Sequence, residues 1–299
     1  MVLESSISSQ IRKRRKELGL SQLELASKSG MPQSTIARIE SGEISPRENE
    51  LLIISNVLKA SLVIGEESFS KADPFVYIVQ NKVFQFEEDC GFNMGVNEVM
   101  EAIHHTNATM LTLPYTVFQS IDFKATSGMI GALFCKGIEN VTDGIVNPIE
   151  KGHPDIVPKE AAGIRDESIL KHYPVGLEVK CTAGNVKQGS DLGAGDTRIQ
   201  HLKGVTWQAH HQEVERLMGI TWDFIDTGSD ANYPVITGVF YANNLNVTDW
   251  GKISGITGRN TKVTGMAASG KAKMGKGWIA ILDSEEYKKK YTSIFKIKL

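Results

Sequence analysis

Asp155, Glu178 and Lys180 are the residues whose types and spacing could do chemistry. They lie in the segment HPDIVPKEAAGIRDESILKHYPVGLEVKCTAGN. Glu178 and Lys180 are two apart, so in a strand they share a face, while Leu177, Val179 and Cys181 point the other way. Charges beside an apolar face cost desolvation energy unless something uses them. Two carboxylates, Asp155 and Glu178, are hard oxygen ligands suited to Mg2+. Such an ion polarises a phosphate and lowers the pKa of a bound water. Lys180 is placed to orient that water or to stabilise charge on the phosphorus. A chance ion pair on an edge strand would look the same in sequence.

These groups need a sheet beneath them. Leu177–Thr182 is expected as a strand, and Asp155-Ile156-Val157 as its neighbour. Further strands are expected at Phe75–Val79, Lys82–Phe86 (with Gln80-Asn81 as the turn), Tyr233–Tyr241 and Trp278–Leu282. Asn97–His105 is expected as a helix, and Trp207–Met218 as a long one. A mixed α/β domain over residues 65–299 follows.

The first 64 residues follow a different rule. SISSQIRKRRKELG has apolar residues at helical spacing, closed by Gly19. Ser21 and Glu24 have the spacing of a capping box for a short helix over Gln22–Lys28. After Ser29-Gly30 a third helix spans Gln33–Glu40, with Ile36 and Ile39 on one side. Pro46 opens a fourth, rich in Leu and Ile. Two short helices joined by a Gly-containing turn form a helix-turn-helix signature.

IRKRRKELGLSQLELASKSGMPQSTIARIESGE resembles the phage Cro/repressor (XRE) family along its whole length. The resemblance implies double-stranded DNA as partner, with the Gln33 helix in the major groove. Gln33 would meet an adenine edge and Ser34 and Thr35 the neighbouring bases, while Gln22 and Arg38 would hold phosphates. The second segment, Pro154-Asp155 followed by Glu178-Val179-Lys180, resembles the PD-(D/E)xK nucleases, some of which add an acidic residue from an upstream helix; by that resemblance Glu101, or Glu98 three residues before it, would join the site, with Glu101 preferred. The stretch VTWQAHHQEVERLMGITWDFID…PVITGVFYANNLNVTDWG is similar to ApaLI-type restriction endonucleases, which would bring Gln208, His210 or His211 near DNA. The implied fold is an N-terminal all-α helix-turn-helix domain (1–64) plus an α/β PD-(D/E)xK nuclease domain with a mixed central sheet (65–299). The implied activity is that of a type II restriction endonuclease making Mg2+-dependent double-strand breaks. A homodimer is expected, because one active site per chain must cut both strands of a symmetric target. Whether that target carries methylated cytosine is left open; Thr35 or Met31 could pack on a 5-methyl group. The alternative is an XRE-type transcriptional regulator whose large C-terminal domain senses a ligand or oligomerises.

Bulk properties narrow the field further. The chain has 299 residues, 41% hydrophobic, with a formal net charge of -2. Residues 250–299 carry 11 Lys+Arg against 3 Asp+Glu, a basic region on an acidic body. Three widely spaced cysteines argue against a disulfide framework, and with no apolar leader a cytoplasmic location is expected. No membrane span is expected. Gly270–Gly277 approaches a phosphate-binding loop but has Gly277 where a Mg2+-binding hydroxyl belongs, so no nucleotide cofactor is expected and the stretch is taken as a basic loop near DNA. The adjacent pairs His104-His105 and His210-His211 diverge too far on a helix to share one zinc ion.

Overall fold

A computed structural model of the chain describes residues 7–41, 43–44, 46, 48–58, 73–150, 152–187, 192–228, 231–254 and 263–299. The chain forms two compact units, Met1–Ser70 and Lys71–Leu299. The expected domain boundary at 64/65 and the linker Gly65–Ser68 lie outside the described residues.

The N-terminal unit is four helices: α1 (Ile7–Glu17), α2 (Gln22–Ser29), α3 (Gln33–Ser41) and α4 (Glu48–Leu58). Ile11, Leu25, Ile36, Ile39, Ile54 and Leu58 are fully buried between them. The capping box is present. The Glu24 amide donates to Ser21 Oγ at 3.1 Å, and the Ser21 amide to Glu24 Oε2 at 2.7 Å. Gly30 ends α2 at φ 67°, a left-handed position that glycine takes without strain. Arg15 and Glu40 form a buried, bidentate pair at 2.5 and 2.8 Å that ties α1 to α3.

The second unit holds β1 (Tyr77–Val79), α5 (Phe86–Cys90), α6 (Val96–Thr112), α7 (Tyr115–Ser120), α8 (Phe123–Val141), β2 (Gly144–Val146), β3 (Ile156–Pro158), α9 (Glu167–Leu170), β4 (Glu178–Thr182), β5 (Asn185–Val186), β6 (Leu202–Gly204), β7 (Gln208–Ala209), β8 (Leu217–Asp226), β9 (Asn232–Ala242), β10 (Thr264–Gly265), α10 (Ala268–Lys276), β11 (Trp278–Leu282) and α11 (Glu285–Phe295). Its central sheet is mixed, in the order β1-β11-β9-β8-β4. Only the β4–β8 pair is parallel within it. On one face, Val179, Met218, Ile220 and Trp222 pack on Val99, Ile103, Ile130 and Phe134 of α6 and α8. On the other, Leu217, Phe240 and Ile281 pack on Met274 of α10 and on Tyr291 and Phe295 of α11.

Three expectations are corrected. Trp207–Met218 is not a helix: Val205, Trp207 and Ala209 are all buried, a two-residue alternation that makes β7 and then a turn into β8. Lys82–Phe86 is not a strand paired with β1; β1 takes the antiparallel edge of β11 instead, and Phe86 begins α5 with its ring in the core. The basic stretch before β11 is not a loop but α10, whose Met274 is buried and whose Lys273 ion-pairs with Asp249 at 2.6 Å. Among the described residues no helix is long and apolar enough to cross a membrane.

Candidate metal centre and helix-turn-helix face

β4 is the edge strand of the sheet, and its first residue is Glu178. Leu177 just before it bridges antiparallel to Ile156, with amide–carbonyl bonds of 3.0 and 2.8 Å in both directions. Gly176 makes that approach possible. It sits at φ 145°, and a side chain there would run into the Ile156 carbonyl. Asp155, which immediately precedes β3, is thereby carried alongside Val179.

The polar atoms then converge. Asp155 Oδ2 accepts from the Val179 amide at 2.8 Å and from Lys180 Nζ at 3.1 Å. Lys180 Nζ also lies 2.6 Å from Glu178 Oε1. His153 Nδ1 lies 3.2 and 3.3 Å from the two Glu178 oxygens. Val179 is buried on the opposite face and Cys181 packs against the same core, as the alternation requires. The side chains are partly to fully enclosed: Glu178 is 5% exposed, Lys180 19% and Asp155 30%.

Burial sets the electrostatics. It pushes Asp155 up from the ordinary carboxylate value, and the neighbouring Glu178 charge adds to the push. Burial would raise Glu178 too, but its bond to His153 and the charge and hydrogen bond of Lys180 win, holding it at about 2. Lys180 loses hydration by burial, yet the two carboxylates keep it firmly protonated, above its ordinary value. The Glu178 bond raises His153, against burial. One carboxylate is therefore fully ionised while its neighbour is reluctant, a separation typical of sites that handle charge.

One ligand atom each from His153, Asp155 and Glu178 lies within 4.8 Å of the others. Ligand atoms on one ion with bonds of about 2.1 Å stand about 3.0 Å apart when cis and about 4.2 Å when trans, so side-chain movement of roughly half an ångström or more would close the three on a divalent cation. His153 was not among the expected site residues. It stands two residues before Asp155 in a bend, with a cis peptide bond between His153 and Pro154, and no strand alternation in the sequence pointed to it.

Glu101 is not brought to this cluster. It lies on the exposed side of α6 and outside the cleft lining, because the apolar positions Val99, Ala102 and Ile103 turn the helix's other side to the sheet. Glu98 is spent locally, accepting from the Gly95 amide at 2.8 Å to cap its own helix. Asp155 and Lys180 open into a cleft of about 1430 Å³, lined also by Lys124, Arg198, Gln208 and His210. His211 instead lines an adjoining cavity of about 270 Å³ with His153, His172 and Glu178. Cys181 packs against the core, and its thiol is pushed up by burial.

In the N-terminal unit, Gln33 and Ser34 are exposed at the start of α3, and Thr35 is half-buried. Gln22 reaches both Gln33 at 3.3 Å and Glu40 at 2.9 Å, so the two glutamines form one polar face. Arg38 is half exposed and pairs with Glu43 at 2.7 Å. Met31 packs against the helical core, which leaves Thr35 as the better placed of the two candidates for a methyl contact.

Comparison with known proteins adds to the N-terminal unit. The family model for helix-turn-helix domains of the HTH_3 type matches residues 11–64. A solved structure of the P22 c2 repressor in complex with a synthetic operator is 31% identical over 19% of this chain and 88% of its own, with a TM-score of 0.19. No curated protein matches the chain. With its capping box, its Gly30 turn and the exposed head of α3, the N-terminal unit carries a helix-turn-helix DNA-binding domain of the HTH_3 family.

Proposed function

We propose that the chain is a DNA-cutting enzyme: the helix-turn-helix unit binds DNA, and the C-terminal unit hydrolyses phosphodiester bonds with a PD-(D/E)xK-type cluster. The observation that carries this reading is the convergence of Asp155, Glu178 and Lys180 into one ion-paired cluster, from two segments bridged through Ile156 and Leu177, with Asp155 and Lys180 lining the cleft and Glu178 the cavity that holds His153.

Asp155 and Glu178, with His153 beside them, would hold a divalent cation. Such an ion supplies charge to the scissile phosphate and makes a bound water acidic enough to attack near neutral pH. Glu178, ionised down to about pH 2, brings a permanent negative charge to the centre. Lys180, protonated and fixed between two carboxylates, can donate to an attacking water or to a phosphate oxygen as negative charge grows there. The Val179 amide holds Asp155 Oδ2 in place, which limits the reorganisation needed at the site. With one such cluster among the described residues, double-strand cleavage of a short symmetric site calls for a homodimer, and the joining of a DNA reader to such a centre supports a restriction-type activity.

The experiment is plasmid cleavage with Mg2+ or Mn2+, using DNA from a methylation-free host and DNA methylated at cytosine. Wild type should give discrete fragments; Lys180→Ala and Asp155→Asn should give none. The preparation that is cut identifies the target type. Retarded but uncut DNA in every condition would sink the nuclease reading and leave a regulator with a sensing or oligomerising domain.

A further inference from the structure

His153 is pinned harder than a solvated loop residue would be. Its amide donates to the Leu170 carbonyl at 3.2 Å, and its carbonyl accepts from the Tyr173 amide at 2.8 Å. Asn147 Nδ2 grips the next residue and the same loop, donating to the Pro154 carbonyl at 3.1 Å and to Leu170 at 3.0 Å. The imidazole is held against Glu178, with its side chain 22% exposed. Beside it, 5.3 Å between ring centroids, stands His211, whose two ring nitrogens are buried without a hydrogen-bond partner among the described residues. Buried polar atoms without partners are costly and ask for a ligand. The centre therefore has nitrogen donors in and next to its carboxylate pair.

Nitrogen donors decide between metals. Mg2+ is a hard ion that prefers oxygen and keeps several waters. Imidazole instead adds affinity for first-row transition ions, in the order Mn2+ < Fe2+ < Co2+ < Ni2+ < Cu2+. Building on the nuclease reading above, we propose that His153 is the third ligand of the Asp155–Glu178 centre and makes it select a first-row transition ion over Mg2+. The expected all-oxygen Mg2+ site is thus replaced by a mixed nitrogen–oxygen one.

The full chain without DNA is titrated with Mn2+ and separately with Mg2+, by calorimetry and by electron paramagnetic resonance of free Mn2+. Wild type should bind Mn2+ about tenfold or more tightly than Mg2+. Pulsed resonance spectra of the bound Mn2+ should show modulation from a directly bonded imidazole nitrogen. His153→Gln should lose that modulation and about tenfold in Mn2+ affinity, with Mg2+ affinity little changed. His211→Ala should keep the modulation. Persistence of the nitrogen signal in a folded His153→Gln, or an unchanged Mn2+/Mg2+ ratio, overturns the inference. Should His153→Gln fail to fold, the wild-type spectrum decides alone: no nitrogen modulation, no His153 ligand. If wild type binds both ions equally with no nitrogen signal, the nuclease reading stands and this inference falls. If it binds neither, the metal-dependent nuclease reading falls with it.

Discussion

Removing the Lys180 ammonium tests the electrostatic logic of the site most directly. Its Nζ lies 2.6 Å from Glu178 and 3.1 Å from Asp155, with the side chain 19% exposed. Lys180→Met keeps most of the side-chain volume and deletes the charge, leaving two carboxylates facing each other in a partly enclosed site. Breaking a buried ion pair in this one-sided way costs about 3–5 kcal/mol. For a unit the size of Lys71–Leu299, with about 2–4 °C lost per kcal/mol, the melting temperature should drop by roughly 10 °C at neutral pH without metal. The sign with pH is fixed. Without the ammonium, Asp155, already raised by burial and by Glu178, loses a cation partner and is pushed further above its unfolded value, so the penalty exists above that value and fades as acid protonates it. The deficit should therefore be smaller near pH 4 than at pH 7.5. A saturating divalent cation should restore the missing positive charge, so metal should raise the melting temperature more in the variant than in wild type. Calorimetric scans at two pH values, with and without Mn2+, read all three effects. An unchanged melting temperature at neutral pH, or a deficit independent of pH, would show that Lys180 does not hold the carboxylates together.

Glu178, held at about 2 against an ordinary 4.5, contributes stability that is present above about pH 4.5 and lost as pH falls toward 2; Glu178→Gln should flatten that acid limb by up to about 3 kcal/mol, less whatever the raised Asp155 contributes in the opposite sense. Arg15→Ala strands the buried Glu40 carboxylate and should destabilise the N-terminal unit by about 3–5 kcal/mol, seen as an early calorimetric transition with the second unit's transition unmoved. Cys90, Cys135 and Cys181 all have thiols pushed up by burial, Cys90 to about 12, so a thiol reagent at pH 8 should label none of them quickly in native protein and all three after denaturation. Gln33→Ala should cost about 1–3 kcal/mol of binding at a preferred DNA site, measured by fluorescence anisotropy against random DNA whose affinity stays the same.

What the sequence revealed was mostly what local rules control. The capping box at Ser21 and Glu24 and the glycines at 19 and 30 need only near neighbours, and the helices appeared where those signals put them. The alternation around Glu178 and Lys180 was equally plain, since one side of β4 packs on the core. The signals that failed depend on distant partners. β8 is buried on both faces along most of its length, so LMGITWDFID shows no alternation to read. Three glycines within Phe123–Val141 disguise α8, yet at Gly137 the backbone of α6 at Ala102 passes 3.0 Å from where a Cβ would sit, tighter than an ordinary side-chain contact. Glu101 follows from the family resemblance as an upstream helical acid, but the spacing of Val99, Ala102 and Ile103 turns it to solvent. His153 escaped notice because its value comes from Glu178, which lies 25 residues ahead in the chain.

The two-faced character of β4 also acts as a proofreading device. A slip of one residue against β8 would drive Glu178 and Lys180 into the apolar layer under α6 and α8 and present Val179 and Cys181 to the opposite face. Such a chain would bury unpaired charge and would not remain folded. Misregistered molecules with the centre half assembled are thus removed by their own instability. The molecules that survive to meet DNA are those in which the charges already face one another, so correctness of the fold and correctness of the site are a single condition.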